Sequence, residues 1–372
     1  MGYVAVKGGE EAIAQAGKLL AYQRLKGSSA PLEVRQVREQ LYLAVDRVMS
    51  EGSLYAPELA ALALKQAAGD TLEAAFMLRA YRATQPRVGY SLPSRGEDMR
   101  IIRRISAAFK DIPGGQVLGP TSDYTLRLLD FDLTEDTSRQ RQAFLQALGQ
   151  DLAGSQPLPL TFPKVIDILR NEGLLAETLE SRDQGGKIFD LTRQSLTFPA
   201  PRSAALQSMT RGETGGLLLL AYTNMRGYGD IHPTVGELRV GYLPVRLEHP
   251  QTGAPYTVGE VKVTEAEVIA RFDTAGGSPK FTLGYGLCFG HNEIKAIAMA
   301  VLDRAMQTPE PQVPSENQEF VLSHLDGIES LGFGSHWKLP HYVTFQSDLD
   351  RLRRAQQAGP ESRPEAEKEN AD

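Results

Sequence analysis

The first third of the chain carries apolar side chains at the spacing of a helix. Between residues 34 and 48 they recur every three or four positions, which places them on one helical face: Val34, Val37, Leu41, Ala44, Val45 and Val48. Asp70 and Glu73 indicate the start of another helix, which ends before Pro86. A similar spacing, in Met99, Ile102, Ile105 and Phe109, predicts one more helix. A mainly helical region is therefore expected here.

Strand patterns begin in the second half of the chain. Residues 217–222 form an apolar run that favours a buried strand, whereas 237–247 and 259–263 alternate as half-exposed strands do. Residues 281–289 continue the strand pattern, and 294–305 then show the spacing of an amphipathic helix. The predicted fold class is α+β, with a helical N-terminal region followed by a mixed α/β C-terminal domain.

Changes in composition suggest where the domains end. Residues 1–132 are predicted to form the mainly helical domain, and 133–160 form a polar connector that contains one helix near 141–152. Residues 161–358 are predicted to form the mixed α/β domain. Residues 359–372 contain no large apolar side chain, so they are expected to remain a disordered tail.

Charge and cysteine content narrow the class of function. A net charge of −6 over 372 residues is unlike the basic surface of a nucleic-acid or anionic-membrane binder, so neither partner is expected. No apolar run approaches the roughly 20 residues that span a bilayer, and a cytoplasmic location is expected. The single cysteine, Cys288, excludes an internal disulfide and any CxxC motif, and is expected to be buried and structural.

Two histidines near the end of the chain are candidate metal ligands. His336 and His341 are five residues apart with Pro340 between them, and a bent segment of this kind can bring two imidazoles to one zinc ion. A zinc site needs three or four ligands, which His324, a partner chain, a substrate oxygen or water could complete. On spacing alone, two surface or hydrogen-bonded histidines are the commoner arrangement.

Glycines next to a cation form candidate phosphate sites, because bare backbone amides can approach phosphate oxygens closely. The two segments that we single out contribute Lys7, Gly8, Gly9, Lys110, Gly114 and Gly115. Residues 226–229 form a third cluster, and none of the three matches the P-loop pattern. Ordinary turns explain such clusters more often than ligands do. Nearby carboxylates are too numerous for the sequence to identify a catalytic acid or base.

Several of these segments, in this order and spacing, resemble the PhnI family, whose members belong to the bacterial carbon–phosphorus lyase core complex. The resemblance lies in residues 3–10, 104–116, 226–229, 281–289 and 335–343, and it extends over nearly the whole chain. Several unrelated motifs in a fixed order are much more specific than any one of them.

The resemblance implies a transferase subunit that displaces the purine of ATP or GTP with methylphosphonate at ribose C1′. The product would be α-D-ribose 1-methylphosphonate 5-triphosphate, and the subunit alone would act as a purine nucleosidase. Implied partners are PhnG, PhnH and the radical SAM subunit PhnJ, with self-association inside the complex and an ABC-type ATPase as a further candidate. The resemblance also implies that His336 and His341 bind zinc at the interface with PhnJ, as the matching histidines of the family do. The alternative is a non-catalytic scaffold that holds the metal and positions a shared active site.

Overall fold

A computed structural model describes residues 9–107, 128–153, 164–176, 189–228, 233–273, 278–338 and 341–358. The helices of the first half are α1 (Glu10–Leu25), α2 (Val34–Gln40), α3 (Tyr42–Gly52), α4 (Pro57–Gln66), α5 (Thr71–Ala83), α6 (Ser138–Ala153) and α7 (Val165–Asn171). Those of the second half are α8 (Arg202–Arg211), α9 (Thr214–Thr223), α10 (Glu293–Ala305), α11 (Gln318–Ser323), α12 (Gly327–His336) and α13 (Tyr342–Ala358). The strands are β1 (Arg100–Ser106), β2 (Thr234–Glu248), β3 (Pro255–Asp273) and β4 (Lys280–Phe289).

Helices α2 to α5 pack around their own apolar cluster, which includes Val37, Val45 and Leu78. The single helix predicted across residues 34–48 is wrong in one respect, because Leu41 has φ −109° and ψ 37° and separates α2 from α3. Both short helices still bury their valines in the same cluster. The predicted start of α5 is confirmed, since the Asp70 carboxylate accepts hydrogen bonds from the first turn of that helix.

The helix predicted from Met99 to Phe109 is wrong. Residues 100–106 form β1, which pairs antiparallel with β2 and places Ile105 opposite Leu238. Pairing with β2 supplies backbone hydrogen bonds that the local helical spacing could not reveal, so the tertiary context decided the conformation. Phe109 lies outside the described residues.

The four strands form one antiparallel sheet in the order β1-β2-β3-β4. The strands expected at 237–247, 259–263 and 281–289 are confirmed. One face of the sheet packs on α10 through residues such as Ala266 and Cys288, so the prediction of a buried structural cysteine is also confirmed. The approach is close, because a Cβ at Gly284 or Gly286 would overlap a carbonyl oxygen of α10.

The strand predicted for residues 217–222 is wrong, because this run belongs to helix α9. The Glu213 carboxylate accepts hydrogen bonds from the amides of Gly215 and Gly216 and so starts the helix. Leu217 and Ala221, four residues apart, are buried, while the leucines between them remain partly or largely exposed. A continuous apolar run cannot distinguish a helix from a strand by periodicity.

The described structure confirms the α+β class and the helix expected within the polar connector, which is α6. The domain boundaries remain predictions. None of the described helices is both long and apolar enough to cross a membrane.

Polar contacts connect the N-terminal helices to the second half of the chain. Asp46 of α3 accepts a hydrogen bond of 2.9 Å from the backbone amide of His291 and forms an ion pair with Lys262. Arg79 of α5 donates two hydrogen bonds of 2.8 Å to the carboxylate of Asp326. These contacts hold α3 and α5 against the elements that carry the candidate sites.

Candidate functional site

The two histidines predicted as metal ligands lie close together. His336 is the last residue of α12 and His341 immediately precedes α13, and their ring centroids are 4.7 Å apart with the planes at 61°. The Asp326 carboxylate begins α12 by accepting a hydrogen bond from the Glu329 amide, which fixes the helix that presents His336. Residues 339 and 340, which join the two histidines, lie outside the described residues.

Aromatic side chains lie beside this pair, either in contact with it or next to it in sequence. Phe333 forms ring contacts with both His336 and Trp337, at centroid distances of 6.3 Å and 5.9 Å. Trp337 is 73% exposed and Tyr342 is 68% exposed. Several exposed aromatic residues close together in sequence are typical of surfaces that bind another molecule.

Two imidazoles can supply half of the tetrahedral set that zinc takes in proteins. Among the described residues, no group of three or more His, Cys, Asp or Glu side chains is arranged to hold a metal ion. His324 therefore does not join the pair as a third ligand; its Nδ1 lies 2.7 Å from the Phe320 carbonyl oxygen and its ring stacks on Phe320. The two imidazoles would fit a zinc site only if further ligands came from outside the described residues.

The predicted phosphate segments are mostly outside the described residues, namely Lys7, Gly8, Lys110, Gly114 and Gly115. Gly9 is described and precedes α1 with φ 81°, a left-handed conformation that favours glycine. Residues 226–228 belong to a π-helical turn, and the Arg226 guanidinium lies 5.4 Å from the Tyr222 ring. The phosphate role of these segments remains a prediction.

A second polar centre, which was not among the predicted sites, lies on the sheet face opposite α10. Glu237 and Arg239 on β2 are directly paired with Glu267 and Glu265 on β3. All four side chains are nearly inaccessible to solvent. Charged groups are rarely buried unless they are paired, and here the guanidinium of Arg239 pairs with Glu265. We call these four residues the sheet charge cluster.

Two further cations and a phenol complete the pairing of this cluster. Lys164 forms ion pairs with Glu265 and Glu267, and Arg104 of β1 pairs with Glu237 at 2.8 Å. The other oxygen of Glu237 accepts a hydrogen bond of 2.9 Å from the Val165 amide at the start of α7. The Tyr285 hydroxyl donates to Glu265 at 3.0 Å. Three carboxylates therefore face three basic side chains.

Electrostatics divide the carboxylates of the sheet charge cluster into two kinds. Burial, reinforced by the neighbouring Glu265 and Glu237, raises the pKa of Glu267 to about 7 although Lys164 opposes the shift. Burial also acts against ionisation of Glu265, but the charges of Lys164 and Arg239 outweigh it and lower the pKa of that carboxyl. Glu267 can therefore exchange a proton near neutral pH, while Glu265 stays ionised.

A sequence signal for this cluster does exist. Glu237 and Arg239, and likewise Glu265 and Glu267, are two residues apart, so each pair lies on one face of its strand. The alternation predicted half-exposed strands because polar positions in a strand usually face water. Here α7 and Lys164 lie over the charged side chains and shield them from water. The local sequence of the strands gives no sign that a distant segment packs there.

The fold and the histidine pair can now be compared with known proteins. The chain matches a family of bacterial phosphonate metabolism proteins over residues 2–359. It therefore belongs to the PhnI family, which confirms the resemblance inferred from the five sequence segments.

Three relatives align over almost the whole chain. A protein of Stutzerimonas stutzeri named "putative C-P lyase subunit protein HtxH" is 56% identical over 363 residues, which is 96% of each chain. The "alpha-D-ribose 1-methylphosphonate 5-triphosphate synthase subunit PhnI" of Escherichia coli K12 is 48% identical, covering 95% of this chain and 98% of its own. The protein of the same name from Rhizobium meliloti is 47% identical, covering 95% and 94%.

Proposed function

We propose that this chain is a subunit of a carbon–phosphorus lyase core complex that replaces the purine of ATP or GTP with methylphosphonate. The observation that carries the proposal is the alignment, at 47% and 48% identity over nearly the full length, with two proteins named as subunits of the corresponding synthase. The product would be α-D-ribose 1-methylphosphonate 5-triphosphate.

The proposed reaction is a substitution at ribose C1′. A phosphonate oxygen forms a bond to C1′ while the bond between C1′ and the purine nitrogen breaks. The purine leaves with that electron pair and takes up one proton, so the free base is the second product. When the chain acts alone, water replaces the phosphonate and the activity is that of a purine nucleosidase. Positive charge that develops on the sugar must be stabilised, and the leaving base must be protonated.

We further infer that His336 and His341 bind zinc through one nitrogen each. The separation of 4.7 Å between their ring centroids supports this assignment. The remaining ligands would come from a partner subunit, the substrate or water. A bound zinc ion would supply Lewis acidity and orient an oxygen ligand.

The expected partners are PhnG, PhnH and the radical SAM subunit PhnJ, in a cytoplasmic complex that also contains a second copy of this chain. An ABC-type ATPase subunit is a further candidate. The exposed aromatic side chains around His336 and His341 support a partner at this surface.

A scaffold role is the second candidate function. It is favoured by the incomplete metal set, because among the described residues the two histidines have no third ligand. In this case the chain holds the metal and positions the site, while partner subunits supply the groups that break the glycosidic bond.

Purified chain and co-expressed complex, each incubated with ATP or GTP and methylphosphonate, separate the two roles. Chromatography should detect free adenine or guanine from the chain alone if its own residues activate the glycosidic bond. Base release by the complex only would support the scaffold. If the four proteins do not co-purify and no preparation releases base, the proposed function is wrong.

A further inference from the structure

A cavity of about 350 Å³ lies beside the edge strand β4. Neither histidine of the pair lines it. Helices α5, α8 and α10 and the segment at 191–192 enclose it together with β4. Its lining residues are Arg82, Leu191, Thr192, Leu206, Gln207, Thr210, Arg211, Tyr285, Leu287 and Met299. We call this space the arginine cavity.

Two arginines in the wall have few partners of their own. Arg211 Nε is buried and has no hydrogen-bond partner among the described residues, and its terminal nitrogen lies 3.9 Å and 3.7 Å from Asp326 and Glu329. Arg82 donates one hydrogen bond of 3.2 Å to the Ser53 carbonyl oxygen. Arg79, by contrast, is held by both oxygens of Asp326 at 2.8 Å. A buried donor without a partner is costly, and a ligand acceptor would remove that cost.

Positive charge in the wall exceeds the negative charge that faces it. Burial lowers the pKa of Arg82, and the nearby charges of Arg211, Arg79 and Arg87 lower it further. Asp190, which acts in the opposite direction, is already bound by Arg87 through an ion pair of 2.6 Å. Asp326 and Glu329 face Arg79 and Arg211, whereas Arg82 forms no ion pair among the described residues. An anion in the cavity would therefore gain from the one positive charge that remains in excess.

The other polar groups of the wall are already hydrogen-bonded. The Thr210 hydroxyl lies within hydrogen-bond distance of two backbone carbonyl oxygens, that of Leu206 at 2.9 Å and that of Leu287 at 3.1 Å. The Gln207 amide donates to the Phe189 carbonyl oxygen and accepts from the Leu191 amide. Thr192 donates its hydroxyl hydrogen to Asp190 and accepts from Arg87. Recognition of a polar ligand thus falls to the two arginines.

The remainder of the wall is apolar. Leu191, Leu206, Leu287 and Met299 line the same space as the two guanidinium groups. A hydrated inorganic anion gains nothing from contact with an apolar surface, whereas a short alkyl group is stabilised by each CH₂ that leaves water there. The complementary ligand has a doubly or singly charged oxyanion at one end and a small apolar group at the other.

We propose that the arginine cavity binds a tetrahedral phosphorus oxyanion with a small apolar substituent, that is, an alkylphosphonate. The fork of a guanidinium matches two oxygens of such a group, which a lysine would contact only as a point charge. The choice of phosphonate rests on the proposed function. A phosphate group of the nucleotide shares the oxyanion chemistry but lacks the apolar substituent on phosphorus.

Calorimetric titration of the co-expressed complex tests the proposal with four probes: inorganic phosphate, methylphosphonate, butylphosphonate and ATP. We expect affinity to rise from phosphate to methylphosphonate to butylphosphonate. Arg82→Gln and Arg211→Gln should each weaken alkylphosphonate binding at least tenfold, and Arg211→Lys should restore part of it. Arg351→Ala, at an exposed position on α13, should leave binding unchanged.

Thermal unfolding of each variant separates loss of binding from loss of structure. A variant with wild-type thermal stability and weakened binding supports the site. The proposal is overturned if the glutamine variants bind alkylphosphonates as the wild type does, if phosphate binds as tightly as butylphosphonate, or if only ATP responds to the substitutions. Base release measured on the same samples distinguishes the two proposals: release with no arginine dependence of binding removes the cavity alone, whereas arginine-dependent binding with no release removes the proposed function alone.

Discussion

Glu267 shows how a buried residue can couple stability to pH. Its pKa is raised from 4.5 to about 7. Between these two pH values the folded protein keeps a proton on Glu267 that the unfolded chain releases. The stabilisation is complete below pH about 4.5 and is lost as pH rises through about 7. We expect this group to lower the free energy of unfolding by on the order of 3 kcal/mol across that interval. Glu267→Gln should flatten the dependence.

Urea unfolding at a series of pH values from 5 to 8 measures this effect. Glu260→Gln provides the matched control, because Glu260 lies on the same strand and forms an exposed ion pair with Arg100. The control should keep the wild-type pH dependence. An unchanged slope in Glu267→Gln would show that this carboxyl titrates in its ordinary range.

The histidine pair makes a prediction about zinc content. Replacing His336 and His341 together with alanine should remove zinc from the co-purified complex, because each ring supplies one of few ligands. Zinc affinity of the wild type should fall below pH ~6.5, since only neutral imidazole binds the ion. Elemental analysis of the intact complex provides the measurement.

His324→Ala is the control for this experiment. Its ring is already engaged with Phe320, so this variant should retain zinc. Stoichiometric zinc in the double variant, or none in the wild-type complex, would contradict the assignment. Neither result would bear on the proposed transferase role, which is tested by the base-release measurement.

At the scale of elements, the contact between β4 and α10 depends on two glycines. A Cβ at Gly284 or Gly286 would overlap the carbonyl oxygen of Ala300 or Ala296. Because backbone atoms cannot yield as a flexible side chain can, Gly286→Ala should destabilise the protein by about 1–3 kcal/mol or more. Chemical denaturation followed by circular dichroism provides the measurement.

Gly259→Ala on β3 is the matched control, because no heavy atom lies within 4 Å of the position its Cβ would take. It should unfold at nearly the wild-type denaturant concentration. Equal stability of Gly286→Ala and Gly259→Ala would mean that α10 can shift away from the sheet without cost.

Local patterns predicted the elements whose surroundings agree with them. Asp70 caps α5, and the alternation in β2 and β3 indicates strands, because in both cases the information lies within a few residues. β1 and α9 were assigned wrongly for a shared reason. The apolar positions of each segment fit more than one period, and a distant partner decides the conformation: β2 for β1, and the core around α10 for α9.

The candidate sites differ in the same way. His336 and His341 are near each other in sequence, so their five-residue spacing made an adjacent pair one of two alternatives, and the resemblance to the PhnI family favoured it. The arginine cavity takes Arg82, Arg211 and Leu287 from three distant elements. Lys164 similarly reaches the sheet charge cluster from far along the chain. No spacing rule within one segment can predict such sites.

At the scale of the whole molecule, exposed apolar side chains suggest that the chain is not stable as an isolated monomer at high concentration. Leu20 on α1 is 74% exposed, and Trp337 and Tyr342 beside the histidine pair are similarly accessible. Permanent interfaces resemble a protein core cut in half. We therefore expect aggregation of the chain alone and recovery of solubility on co-expression with its partners.

Light scattering of the purified chain, with and without the partners, provides the measurement. Phe345→Glu on α13 should reduce aggregation of the chain alone and weaken co-purification, because it places a charge on the exposed aromatic surface. Glu319→Gln, at an exposed position on α11, should change neither aggregation nor co-purification. A monodisperse wild-type monomer whose light scattering does not change when the partners are added would contradict this expectation.

The contacts between the two halves of the chain also limit the order in which the protein can fold during translation. Asp46 accepts from a residue 245 positions later, and Arg79 binds a carboxylate 247 positions later. At about 5–20 residues per second, each group waits roughly 12–50 s after it is synthesised before its partner exists. During that time water, rather than the native partner, hydrogen-bonds these side chains. The contacts that join the two halves of the chain therefore form late in translation, after helices α2 to α5 have been synthesised with the apolar cluster that they share.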